Sequence, residues 1–165
     1  MEARAKLFGH PIHQALIVFP LGVLSMAVIF DVLYLVTGSA HWTQSSFWMI
    51  CAGIVAGLVA ALFGLIDWLG IPGGTRAKRV GAVHGVGNVL VVLLFAGSWI
   101  MRRDDPAAPD MLALVLSFAG GGLALVTGWL GGELVGRLGI GVSEGANVNA
   151  PSSLSGRPAR ETVRG

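Results

Sequence analysis

Seven side chains stand in or beside apolar stretches where their types are costly: His10, His13, Asp31, Asp67, His84, Asn88 and Glu133. Imidazoles and carboxylates are metal ligands and proton carriers, and two facing imidazoles suit a haem iron. His10 and His13 are three apart around Pro11; His84 and Asn88 are four apart and share a helical face with Gly81 and Gly85. Ionisable groups inside a bilayer cost a few kcal/mol (roughly 2.5–3.5 at a helix centre), so each needs a partner or water.

The elements that must position these groups follow from composition. The chain has 165 residues, 54% hydrophobic and 12% charged, with a mean hydropathy of +0.74. Soluble domains carry about 25% charged residues, so this composition excludes a water-exposed globule, a disordered chain and a disulfide scaffold. A net charge of +2 is too weak to argue for nucleic acid. Cys51 has no partner cysteine. Apolar runs near residues 13–36, 47–69, 80–101 and 111–134 are each long enough to cross a hydrocarbon core of about 30 Å. The first is too long for a cleavable signal peptide and carries Asp31. Short links predict an all-α, up-down-up-down four-helix bundle over residues 1–142. Residues 143–165 are polar, with Pro and Ser, and read as a flexible tail.

Lys and Arg flank one side: Arg4, Lys6, Arg76, Lys78, Arg79, Arg137, Arg157, Arg160 and Arg164. The other side holds Arg102 and Arg103 beside Asp104, Asp105 and Asp110. This bias predicts cytoplasmic termini, with Trp42, Trp48 and Trp99 near the outer interface and Trp68 and Trp129 near the inner one. His13, Asp67, His84 and Glu133 then fall at one inner depth, one from each helix. Asp31, with His41, belongs to the opposite leaflet.

Gly53, Gly57, Ala61 and Gly64 form a small-residue packing face in the second span, and Gly121, Gly128, Gly132 and Gly136 suggest one in the fourth. Pro20 removes an amide donor and predicts a kink near Leu16. A faint repeat lays "HQALIVFPLGVL" beside "HGVGNVLVVLLF", matching His13 with His84. It also matches Asp67 roughly with Glu133.

Four readings fit these residues. Haem b would be ligated by His13 or His10 opposite His84, with Asn88 in support, Arg76 and Arg79 near the propionates, and Gly81, Gly85 and Gly128 making room. A non-haem zinc, iron or manganese site would use His13, His84, Asp67 and Glu133. In a structural reading the histidines bond helix ends, Asp67 pairs with Arg76 or Arg79, and Glu133 pairs with Arg137. A proton relay or transporter lacks polar groups through the middle of the helices.

The stretches "GHPIHQALIVFPLGVLSMAVIFDVL", "FGLIDWLGIPGGTRAKRVGAVHGVGN" and "TGWLGGELV" resemble the bacterial membrane family called domain of unknown function twenty-two thirty-one. The resemblance runs from about Phe8 to Val142. Its most specific marks are His10, Pro11 and His13, then Phe19 and Pro20. It implies a multi-pass inner-membrane protein. Related domains of the HPxxxHFP type occur joined to Rieske or c-type cytochrome modules, which implies a redox neighbourhood. This chain departs from them: it has one Cys and no CxxCH, and Gln14 to Val18 lacks the extra His.

The expectation is a redox-associated module of the bacterial inner membrane that binds haem b or a transition metal at its cytoplasmic side. No catalytic activity of its own is expected. A redox protein or membrane complex would be its partner, and Gly-rich outer faces permit a homo-oligomer. The alternative is a non-catalytic structural or assembly subunit without a cofactor.

Overall fold

The computed structural model describes residues 1–163; Arg164, counted above with the tail arginines, and Gly165 lie outside the described residues. The fold is all-α apart from a two-residue ladder. Strand β1 (Lys6–Leu7) pairs antiparallel with β2 (His10–Pro11). Phe8 and Gly9 turn between them with φ of 51° and 83°, the left-handed pair that a tight hairpin demands.

Helix α1 (Ile12–Leu16) breaks at Ile17 and resumes as α2 (Val18–Thr37). Pro20 has no amide to give the carbonyl of Leu16, which accounts for the break where the sequence places it. Helices α3 (Ala40–Gly70), α4 (Arg76–Met101) and α5 (Met111–Gly136) follow. All four spans, with α1 and α2 taken as one, are long and apolar enough to cross a membrane. Gly38 ends α2 in the left-handed conformation at φ 68°, so α3 begins after only Gly38 and Ser39. Helix α3 extends well before the apolar run that begins near Phe47, because the short hydroxyls of Thr43 and Ser46 are buried and find partners in the Ala40 and Ala107 carbonyls and in the Arg102 guanidinium. Helix α4 also begins before its apolar run. Thr75 caps it, its hydroxyl accepting from the Lys78 amide at 3.1 Å.

The helices pack as two hairpins, α2 with α3 and α4 with α5, closed by contacts of α3 with α4 and α2 with α5. Leu24, Ala27, Ile50, Val91 and Phe95 form the core between them. Outward-facing residues are apolar too: Val36 is 77% exposed and Leu125 76% exposed. A helix that is greasy all round belongs in lipid.

Glycine allows the close approaches. A Cβ on Gly53 would stand 2.5 Å from Leu24, and one on Gly120 would stand 2.9 Å from Phe95. The expected packing face of α5 is corrected. Gly128, Gly132 and Gly136 meet nothing within 4 Å, and Gly120, Gly121 and Gly131 do the packing. Ala61 likewise faces outward.

Candidate functional site

His13 on α1 and His84 on α4 are held alike. His13 Nδ1 donates to the Ala60 carbonyl at 2.8 Å, and His84 Nδ1 donates to the Thr127 carbonyl at 2.9 Å. A carbonyl only accepts, so Nδ1 carries the proton in both rings. In the neutral imidazole Nε2 then keeps its lone pair. Each ring lies over a glycine: a Cβ on Gly64 would meet His13 at 2.8 Å, and one on Gly131 would meet His84 at 3.2 Å.

Asn88 supports His84 as the sequence suggests. Its Nδ2 donates to the His84 carbonyl at 2.8 Å, and its Oδ1 accepts from the Thr127 hydroxyl at 3.1 Å. That same Nδ2 is 3.4 Å from Nδ1 and 3.2 Å from Nε2 of His84. A donor on the Nε2 lone pair would be far from Nδ1, so the amide sits over the ring face and leaves that lone pair open.

The other expected ligands go elsewhere. Asp67 Oδ1 accepts the backbone amides of Arg4 at 2.7 Å and Ala5 at 3.0 Å, latching the N-terminal segment onto the end of α3. Glu133 pairs with Arg76 at 2.7 Å, not with Arg137. Arg76 is therefore neutralised, and it is not the partner of Asp67. Arg79 is exposed. His10 is exposed on the ladder, its Nε2 3.2 Å from the Ser153 hydroxyl. The joint metal set of His13, His84, Asp67 and Glu133 is not assembled. Among the described residues no three His, Cys, Asp or Glu side chains stand where they could hold a metal ion. Each carboxylate has a nearer donor, a pair of free amides or a guanidinium, and charge-assisted hydrogen bonds of that kind are strong. Gly85 meets no neighbour within 4 Å, and Gly81 packs against Trp68.

The polar tail folds back over this end of the bundle. The N-terminal amine donates to the Gly139 carbonyl at 2.9 Å, and the Glu144 amide donates to Glu2 at 2.9 Å. The Val163 amide donates to the Asn149 carbonyl at 2.8 Å. Where α3 meets α4, the Trp68 indole donates to the Lys78 carbonyl at 3.1 Å. Lys78 Nζ returns a bond to the Trp68 carbonyl at 2.7 Å.

The most completely built polar cluster lies at the opposite end, and the sequence points to only half of it. Asp31 on α2 and Arg102, just past α4, are both fully buried. Arg102 Nη1 meets Asp31 Oδ1 at 2.7 Å, and Nη2 meets Oδ2 at 2.8 Å. Its remaining donors reach Ser98 Oγ, Ser46 Oγ and the Ala113 carbonyl. Ser117 Oγ donates to Asp31 at 2.6 Å. All five guanidinium donors are used. The sequence places Arg102 in the outer loop because it follows the apolar run. The available signal was that a buried acid needs a cation at its own depth.

A family model described as "Predicted membrane protein (DUF2231)" matches residues 9–144, from just before His10 to just past the last helix. The chain belongs to this family. No curated protein and no solved structure matches it. As a DUF2231 member the chain is a predicted membrane protein, in agreement with its four apolar helices.

Proposed function

We propose that this protein is a redox-associated binding module of the bacterial inner membrane, with both termini cytoplasmic, that takes haem b or a single transition metal (zinc, iron or manganese) through His13 and His84. The observation that carries this reading is the matched hydrogen bonding of the two rings. Metal-ligating histidines characteristically donate their second ring N–H to a carbonyl or carboxylate, which fixes the tautomer and aims the other nitrogen. The imidazole pair fits such a group. The carboxylates do not, so the reading rests on nitrogen ligation alone. When bound, an iron porphyrin would supply one-electron chemistry. The chain's own part would be to hold the Nε2 atoms at fixed depth, with Asn88 and Thr127 steadying His84. Electron partners would have to be separate proteins.

A second reading is a cofactor-free structural or assembly subunit. It is favoured by the protein partners that Asp31, Asp67 and Glu133 already have.

The test is the visible spectrum and metal content of the protein purified in mild detergent. A Soret band lost in both His13→Ala and His84→Ala supports haem. Stoichiometric metal without that band, lost in the same variants, supports a mononuclear site. A colourless, metal-free and stably folded protein after expression with added haem and metals overturns the binding reading and leaves the structural one.

A further inference from the structure

The two hairpins repeat each other at most of their buried positions. Asp31 and Arg102 are 71 positions apart. His13 and His84 share that offset, as do Leu24 and Phe95, and Ala27 and Ser98. The fully or nearly buried positions of α2 are Leu24, Ala27 and Asp31; their equivalents Phe95, Ser98 and Arg102 are buried in the second half. Helices α3 and α5 follow one offset of their own. Ser46, Phe47, Ile50, Gly53 and Ala60 are buried in α3, and their counterparts Ala113, Leu114, Ser117, Gly120 and Thr127 are buried in α5. The contacts match as well as the burial. Gly53 receives Leu24 where Gly120 receives Phe95. The Ala60 carbonyl and Gly64 seat His13 where the Thr127 carbonyl and Gly131 seat His84. Two offsets thus account for most of the core; buried Val91, Leu134 and Thr43 fall opposite Pro20, Asp67 and Asp110, which are not buried. In this register Glu133 stands opposite Ile66, one place from Asp67, in keeping with their unlike partners.

Alternate helices run parallel, so the operation relating the halves is a two-fold axis along the bundle. Equivalent residues touch each other only at such an axis, and Asp31 and Arg102 touch. We infer that this fold is a duplicated helical hairpin and that the Asp31–Arg102 pair sorts its halves, so that each hairpin accepts the unlike one and rejects a second copy of itself. Pairing two N-terminal hairpins would set Asp31 against Asp31 in an apolar interior. Pairing two C-terminal hairpins would set Arg102 against Arg102. Either arrangement buries uncompensated like charge where the native pair is saturated. The partner surface of each half is therefore encoded by the sign of one residue, whatever the module binds at its other end.

The repeat specifies the test. D31R and R102D each put like charges on the axis, and each should lower the folded fraction by roughly a hundredfold or more. The exchange D31R/R102D restores an opposite pair and should be more stable than either single variant. Ser98 accepts from Arg102 one helical turn away, and Ala27 is its equivalent. Adding A27S/S98A moves that acceptor with the arginine, and this fourfold variant should recover further. D31R and R102D chains carrying different tags, expressed together, should co-purify as exchanged pairs that neither forms alone. Stability is read by detergent-titrated unfolding, and pairing by tag capture. If the exchange and fourfold variants unfold as readily as the single reversals, or if D31R alone is as stable as the native chain, the inference is overturned.

Discussion

Replacing Arg102 with Met tests the buried ion pair without reversing its sign. The change removes five hydrogen bonds and leaves the Asp31 carboxylate in the interior with only Ser117 as donor. Breaking a fully buried pair at one partner costs about 3–5 kcal/mol, much of it the desolvation of the charge left behind. At about 1.4 kcal/mol per decade, the folded-to-unfolded ratio should fall by roughly a hundredfold to several thousandfold. Removing both charges as D31L/R102M should be far milder, because apolar replacement of a whole buried pair is commonly neutral or stabilising by about 1–4 kcal/mol. The serines left behind keep acceptors: Ser98 already donates to the Ala113 carbonyl at 2.7 Å, and helical serines can bond back to their own turn. The assay is SDS-titrated unfolding in mixed micelles, followed by tryptophan fluorescence. Trp99 stacks on Phe47 at 5.4 Å with rings 16° from parallel, so it reports packing three residues from the substitution. An Arg102→Met protein within about 0.5 kcal/mol of native would refute the reasoning, since surface substitutions change stability by no more than that. So would a D31L/R102M protein weaker than Arg102→Met.

Gly53→Ala and Gly120→Ala should each destabilise by about 1–3 kcal/mol through overpacking against Leu24 and Phe95, whereas Gly128→Ala, with open space around it, should be neutral or gain about 0.5–1 kcal/mol; the same SDS titration compares them. Asp67→Ala should free the Arg4 and Ala5 amides and raise their hydrogen exchange by about tenfold or more, because two charge-assisted bonds of about 1.5–3 kcal/mol each are lost. The hydrogen bond from Lys6, then that from the Glu144 amide, holds the Glu2 carboxyl below the ordinary value of 4.5. Its contribution is therefore complete above that value and is lost as pH falls through the lowered one. Acid should therefore loosen the contact between Glu2 and Glu144, read as a lower protection factor of the Glu144 amide in hydrogen exchange.

The spans were legible because an apolar run of bilayer length is rarely anything but a membrane helix. The break at Ile17 was legible because Pro20 allows little else. Helix ends were harder. Thr75, the cap of α4, and Ser46, inside α3, lie outside the apolar runs, and the helix starts there depend on a cap and on a neighbour that hydropathy does not register. Among polar residues, sharing a depth was a weaker guide than sharing a partner. His13 and His84 do share a mode of attachment, but Asp67 and Glu133 were drawn away by amides and a guanidinium that a linear reading cannot bring near. Arg102 was missed because one residue decides between loop and interior, and only the tertiary position of Asp31 decides it. The repeat is faint in the sequence because its halves share few residue types. What they share is which positions are buried and what each touches.

The saturated guanidinium also bears on the order of synthesis. The N-terminal hairpin is complete before α4 exists, yet its Asp31 has no counter-ion until position 102 has been made, 71 residues later. At about 5–20 residues per second that interval is on the order of ten seconds. Throughout it the nascent first hairpin carries a bare acid within its apolar helices. The emerging second hairpin must then deliver both the positive charge and the serine that close the bundle, so its synthesis determines when the first hairpin can settle.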